Sequence, residues 1–204
     1  MPLTAAGRNA LLTSGKAGFT HVSALTALTP TEAATTRQAV TWQAAGTPAA
    51  GQTGNTAALA IPIGATVTIV GLALYDALTA GNHLATLPYG SAGQVVTGVG
   101  SVVSAASDTI QSNGHGLTTN DQVFFGTVNG EALPAGLSAT TLYFVRATGL
   151  TVDAFTVALT SGGAAVDITG LGEVSWFKSV PNTFASAGNI NLAINALLLD
   201  LNFG

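Results

Sequence analysis

Short runs of β-branched, aliphatic and aromatic residues recur from His21 to the carboxyl terminus, each cut off by Gly, Pro, Asn or Ser. That punctuation leaves almost no window long enough for an apolar stripe at helical spacing. The chain is thereby confined to short strands, as in an all-β sandwich or barrel. One segment escapes the rule: Thr4 is placed to cap a helix over Ala5 to Ser14, with Ala6, Ala10 and Leu11 among its apolar positions and Gly15 and Gly18 as stops. Elsewhere the pattern predicts strands near 21–28, 38–44, 57–63, 66–75 and 83–88. A second set is expected near 94–104, 108–112, 121–128, 141–148, 154–160, 166–169 and 173–179.

The last run, Asn189 to Phe203, changes character along its length. Ile190, Leu192, Ile194 and Ala196 share one face, opposite Asn189, Asn191, Ala193 and Asn195. Both faces turn apolar at Leu197 to Leu199, and the phase then reverses, with Leu201 and Phe203 opposite Asp200 and Asn202. The reading is a long strand, bent or bulged near its middle, that is central or covered by a partner chain.

Composition shifts near Gly90 to Gly93 and again near Val180 to Pro181. Between these points lie Phe124, Phe125, Tyr143, Phe144, Phe155, Trp176 and Phe177, and the Asn129-Gly130 pair of a type I′ turn. The expected organisation is an antiparallel, jelly-roll-like β-sandwich of residues 1–91 plus 180–204 that hosts an inserted, small β-barrel-like module of residues 92–179. Residues 46–55 read as a loop.

Charge narrows the functional classes. Only 7% of the 204 residues are Asp, Glu, Lys or Arg, against roughly 25% in an average soluble domain. A surface of hydroxyls, amides and small apolar groups loses little solvation when another protein docks on it. Nine acids and five bases offer no electropositive footprint for nucleic acid. No apolar run reaches the roughly 18 residues of a membrane helix, so a soluble chain is expected, and the start does not read as a secretory signal. With no cysteine, disulfides and thiolate metal sites are excluded.

Catalytic templates fail one by one. There is no GxSxG, GxxxxGK[ST] or HExxH, and Ser14-Gly15-Lys16 lacks the upstream glycine of a phosphate loop. His115 with Asp121, and Asp76 with His83, each offer two ligands where a structural cation usually wants about four. The plainer reading of either pair is a surface histidine beside a turn aspartate. Asp200 is isolated, and Asp153 and Asp167 read as solvated, with no second carboxylate for glycoside hydrolysis. Tyr143, Phe144, Trp176 and Phe177 are either a sugar-stacking platform or the core of a small β module. Phe124, Tyr143 and Trp176 are the residues to contact a glycan or partner, and no cofactor is expected.

Two stretches carry a family resemblance. GRNALLTSGKAGFTHVSALTALTPTEAATTRQAVTWQAA, followed by AALAIPIGATVTIVGLALYDALTAGNHLATLPY, resembles small tail-fibre-like or head-decoration proteins of tailed bacteriophages. GHGLTTNDQVFF, LPAGLSATTLYFVRAT and DAFTVALT are similar to small β modules of phage tail and fibre proteins. The resemblance implies a non-enzymatic virion structural protein, made in the host cytoplasm and located on the capsid exterior or the tail. Its expected role is capsid decoration that links major capsid subunits, with a minor tail or tail-fibre protein in host attachment, or a carbohydrate-binding adhesion module, as alternatives. The expected assembly is a homo-oligomer, with a trimer favoured. Docking is expected through the amino-terminal helix region and the aliphatic carboxyl-terminal strand, and the inserted module is expected to project outward, where it meets a host surface glycan on the adhesion reading.

Overall fold

The computed structural model describes residues 4–29, 31–33, 36–89, 97–104 and 106–200. One helix, α1 (Ala5–Gly15), and a 3₁₀ turn over Lys16–Gly18 lead into an otherwise antiparallel β structure. The first strands are β1 (His21–Ala27), β2 (Thr31–Glu32), β3 (Gln38–Ala39), β4 (Gln52–Gly54), β5 (Leu59–Ile63), β6 (Val67–Ile69), β7 (Gly71–Tyr75) and β8 (His83–Pro88). Then follow β9 (Thr97–Ser104), β10 (Thr109–Gln111), β11 (Gln122–Gly126), β12 (Tyr143–Val145), β13 (Ala154–Phe155), β14 (Val157–Ala158) and β15 (Gly172–Ser179). The chain closes with β16 (Asn182–Phe184), β17 (Gly188–Leu192) and β18 (Leu198–Asp200). Two compact units result: Met1–Thr26, Glu32–Leu87 and Thr183–Gly204 form one, and Ala27–Thr31 with Pro88–Asn182 the other. The composition shift at 90–93, residues 94–96 of the run beginning at Gln94, and Leu201 and Phe203 lie outside the described residues.

In the first unit, the Thr4 hydroxyl accepts the Gly7 amide at 3.2 Å, so the helix starts on the cap its sequence offers. Its inward residue is Leu12, while Leu11 stays exposed. The sheet beside it runs β2-β1-β7-β8, with β3 also on β1. Every residue of β7, Gly-Leu-Ala-Leu-Tyr, is buried. Its neighbours β1 and β8 satisfy its backbone, and a continuous apolar run is what a strand covered on both faces requires.

The remaining strands of this unit are built from two distant stretches. β4, β5 and β6 pair respectively with β18, β17 and β16, so residues 182–200 return along residues 52–69 in three consecutive pieces. Along β17, Ile190 is buried between exposed Asn189 and Asn191, as alternation demands. The regular strand ends at Leu192, and Asn195 sits in the left-handed region at φ 64° before β18 begins. Asn55, fully buried, holds the break. Its Nδ2 donates to Ala57 O at 2.7 Å and Ala193 O at 2.9 Å, and its Oδ1 accepts the Leu197 amide at 2.9 Å. Gly54 permits the approach, because a Cβ there would lie 2.2 Å from Asn195 Oδ1 and 3.1 Å from Asn195 Cα.

One ion pair is folded into the β1 sheet. Arg37 grips both carboxylate oxygens of Glu32 at 2.8–3.2 Å, donates to Ala77 O at 2.8 Å, and lies 3.5 Å above the Tyr75 ring. Hydrogen bonding from Arg37 holds the Glu32 carboxyl below its ordinary value of 4.5 against the opposing effect of burial.

The second unit is a seven-stranded sheet, β13-β10-β9-β15-β11-β12-β14, rolled almost into a barrel. Its two edge strands are one continuous buried stretch, 154–158. Ala154 and Phe155 pair with Gln111 and Ile110, then Val157 and Ala158 pair with Val145 and Phe144. At the corner between them, Thr156 donates through Oγ1 to Thr148 O at 2.6 Å, and its carbonyl accepts the Arg146 amide at 2.9 Å. The core includes Trp176, Tyr143, Phe125, Phe155, Val123 and Ile168. Gly98 faces Trp176 across the β9–β15 ladder, where a Cβ would fall 2.6 Å from the indole, so the bulkiest core residue is seated by its smallest neighbour.

Several strand boundaries differ from the sequence reading. The 66–75 run splits at Val70 into β6 and β7. The 38–44 run leaves β1 after Ala39 and turns to Gly54–Thr56, where Gln43 N donates to Gly54 O and Thr56 N to Thr41 O. Residues 166–169 form no strand, because the amides of Val166, Ile168 and Thr169 go to three different partners: Val157 O, Asp108 Oδ1 and Ala135 O. The loop read at 46–55 contains β4. Asn129 and Gly130 both have positive φ, as a type I′ turn requires, and Glu131 N closes the turn on Val128 O.

Two expectations follow. Asn55→Ala leaves the buried Leu197 amide without its acceptor and frees the Ala57 and Ala193 carbonyls, which lie on exposed residues, and lowers the unfolding free energy by about 1–3 kcal/mol, read from urea denaturation. The Glu32 contribution has a sign: a folded carboxyl held below 4.5 stabilises fully above that pH and is lost as pH falls through 4.5 towards the lower folded value. The stability gap between the wild type and Glu32→Gln is therefore constant from pH 7 to about 5.5 and narrows steadily below 4.5, as chemical denaturation at each pH measures.

Candidate functional site

A concave apolar surface of the first unit lies where α1 and β18 meet. Leu11 and Leu12 of α1, Phe19 after the 3₁₀ turn, Leu87 of β8, and Leu198 and Leu199 of β18 line a groove of about 460 Å³. Lys16 edges it, with its ammonium turned to Gln43 O. Trp42 supports the floor by donating its indole N–H to Phe19 O. Leu11 is 53% and Leu198 37% exposed, so the groove is open to solvent. The helix region and aliphatic strand singled out in the sequence thus share one surface. Leu12, Phe19 and Leu87 were not singled out, because helical spacing treats Leu11 and Leu12 alike and no local pattern joins residue 19 to 87.

His115 and Asp121 do different work from a catalytic pair. His115 is buried, not at the surface, and its ring packs edge-on against Phe155 at 5.1 Å. Nδ1 accepts the Leu117 amide at 2.9 Å, which leaves Nε2–H to donate to Ala154 O at 3.3 Å. The imidazole therefore ties the 113–117 turn to the barrel corner with both nitrogens occupied. Asp121 accepts the Thr118 amide at 2.8 Å and pairs with Lys178 at 2.8 Å.

The other acids are likewise structural. Asp76 accepts both the backbone and the side-chain N–H of Asn82, at 2.6 and 2.7 Å, and the side-chain bond is the main cause of its lowered pKa. His83 instead meets Thr86 Oγ1 at 3.0 Å and tilts against Tyr75. Asp153 accepts the Gly114 amide at 2.9 Å, while Asp167 is exposed and the Asp200 side chain lies outside the described atoms. Among the described residues, no three His, Asp or Glu side chains gather as a metal site.

Of the aromatic platform, Tyr143 and Trp176 are interior, while Phe144 and Phe177 are half-buried. Trp176 and Tyr143 are 1% and 2% exposed, and Phe124 is 5% exposed and stacked on Phe177 at 5.1 Å, so none offers a ring face to a glycan. The strand period explains the arrangement: Val123 and Phe125 enter the core while Phe124 points to the opposite face. Tyr143 hydroxyl accepts the Ser138 amide, and the Trp176 indole donates to Ser112 Oγ at 3.0 Å, so both polar ends are also satisfied internally.

A structural His115 has a measurable signature. His115→Ala lowers unfolding stability by about 2–4 kcal/mol by orphaning Leu117 N–H and opening a void beside Phe155, while Ala154 O keeps the Thr151 amide. His115→Asn, which keeps a short acceptor, recovers part of the loss in thermal unfolding.

Comparison with known proteins adds a family to this geometry. Residues 15–111, just under half of the chain, match the model of the family described as Podophage GP4 fiber I protein gp80. No curated protein matches the chain. The matched stretch runs from the end of α1 through the β1 sheet and β4–β6 to the paired β9 and β10, while the partners of β4, β5 and β6 and the second partners of β9 and β10 lie in residues 154–200. The match supports a structural protein of a phage virion, points away from enzymatic work, and leans towards a fibre.

Proposed function

We propose that the chain is a non-enzymatic subunit of a podophage tail fibre, joined to other copies through its first unit and presenting its second unit outward. The family match over residues 15–111 carries the proposal, and it favours a fibre over the head-decoration role first expected from sequence. Physical chemistry supports the docking half. The groove is lined almost wholly by Leu and Phe side chains, and burying apolar area contributes roughly 25 cal/mol per Å². Symmetric repetition multiplies that gain over every subunit contact. A chain with 7% charged residues pays little desolvation on such contact.

The test is the position of the protein on the intact particle. Cryo-electron reconstruction, with antibody fragments against the second unit as markers, is expected to show density in the fibre apparatus. Density confined to the head surface, or no density on purified virions, overturns the proposal.

A further inference from the structure

The second unit contains two cations, and the fold treats them differently. Lys178 is neutralised by Asp121. Arg146 meets no carboxylate among the described residues: Nε donates to Gly163 O at 3.1 Å and Nη1 approaches Thr156 Oγ1 at 3.5 Å. Both partners are neutral, so a half-buried guanidinium keeps an uncompensated charge. In a unit that holds six acids, leaving the one other cation unpaired is a choice of placement rather than of supply.

That guanidinium forms a wall of a pocket of about 240 Å³ in which three loops meet. The 118–121 turn brings Thr119 and Asn120, the segment after β12 brings Arg146 and Thr148, and the turn after β14 brings Ser161 and Gly162. Pairing of β12 with β14, Phe144 opposite Ala158 and Val145 opposite Val157, sets the second and third loops side by side. The turns bind each other as well: Ser161 donates to Asn120 Oδ1 at 2.7 Å, and Asn120 N donates to Val145 O. The Asn120 Nδ2 donors then have no partner within the chain among the described residues.

The chemistry of this lining is selective. A guanidinium fork matches a carboxylate in two parallel hydrogen bonds. Hydroxyls of Thr119, Thr148 and Ser161 and the Asn120 amide both donate and accept, as sugar hydroxyls require. No aromatic ring lines the pocket, so a nucleobase has nothing to stack on. Its volume falls below the roughly 300–1,000 Å³ of pockets that hold drug-sized ligands, which limits it to one small group.

We infer that this pocket binds a carboxylate-bearing pyranose unit of an acidic polysaccharide. Arg146 pairs with the carboxylate, and Asn120, Thr148 and Ser161 meet the ring hydroxyls. The inference goes beyond the fibre assignment and stands without it, since it concerns the isolated chain.

Titration of the ¹⁵N-labelled full chain with the methyl glycoside of D-glucuronic acid tests it, with methyl glucoside and inorganic phosphate alongside. Amide shifts are expected only at residues 119–120, 146–148 and 161–163, with both comparison ligands at least about tenfold weaker, equivalent to about 1.4 kcal/mol. Arg146→Lys keeps the charge but loses the fork, and is expected to weaken binding about tenfold. Because Arg146 also ties down Gly163, a second variant separates binding from folding. Ala147→Phe fills the pocket without touching a hydrogen bond of Arg146, and is expected to keep the native spectrum while abolishing the shifts. The inference is overturned by no localised shift at about 10 mM glucuronide, by an equal response to methyl glucoside or phosphate, or by wild-type binding in Ala147→Phe.

Discussion

The pairing of residues 52–69 with residues 182–200 governs the first unit, and the Asn55 side chain is its lock. Leu197 N reaches Asn55 Oδ1 across 142 positions of sequence, and Ala193 O is bound across 138. Contacts so distant carry a loop-closure cost that only later packing offsets. The β1 sheet can form from residues 20–88, but β4, β5 and β6 have no ladder partners until 182–200 arrive. A buried amide that satisfies three backbone groups serves this better than an apolar side chain, because slipping the register by one residue strands all three.

The second unit solves its edge problem in a different way. A short open sheet leaves unpaired N–H and C=O groups on two margins. Here one stretch, 154–158, supplies both margins and turns at Thr156, so the segment between its two bridges removes most of the exposed edge. The corner is reinforced from two sides: His115 binds Ala154 O, and Thr156 is bonded to Thr148 and Arg146. The same closure fixes the loops that carry Arg146, Ser161 and Asn120, so the polar pocket inherits its geometry from the barrel rather than from the loops themselves.

Local periodicity made much of this visible. The Thr4 cap, β1, β8, β15, the alternation of β17 and the break before β18 can all be read from residue types at fixed spacing, whereas Gly15 stays helical and the turn runs on to Gly18. What escaped has a common cause, which is pairing over long distance. Gln52–Gly54 looks like part of a loop because Gly, Thr and Asn dominate it, and becomes a strand only when Leu198–Asp200 lie beside it. Val166–Thr169 looks like a strand, but Asp108 and Ala135 take its amides separately. His115 was misplaced at the surface because a glycine-rich turn carries no sign of Phe155 packed beneath it. The aromatic cluster was recognised, yet only the β11–β15 register decides that Trp176 and Phe125 face inward while Phe124 and Phe177 stack on the other side.

Scarcity of charge ties the two units to one physical logic. The two ion pairs described, Glu32 with Arg37 and Asp121 with Lys178, each fasten a strand or a turn within its own unit. Most of the remaining surface is hydroxyl, amide or small apolar, with Leu11, Leu78, Val152, Leu159, Leu171 and Ile194 each at least half exposed. Single exposed aliphatics are ordinary, but here few charges stand between them to oppose association. Against such a background one unpaired guanidinium dominates its neighbourhood, since no opposing side chain screens it. On the proposed readings, contacts with other subunits would rest on apolar area repeated over copies in register, while selectivity for a small charged ligand would rest on the single residue Arg146.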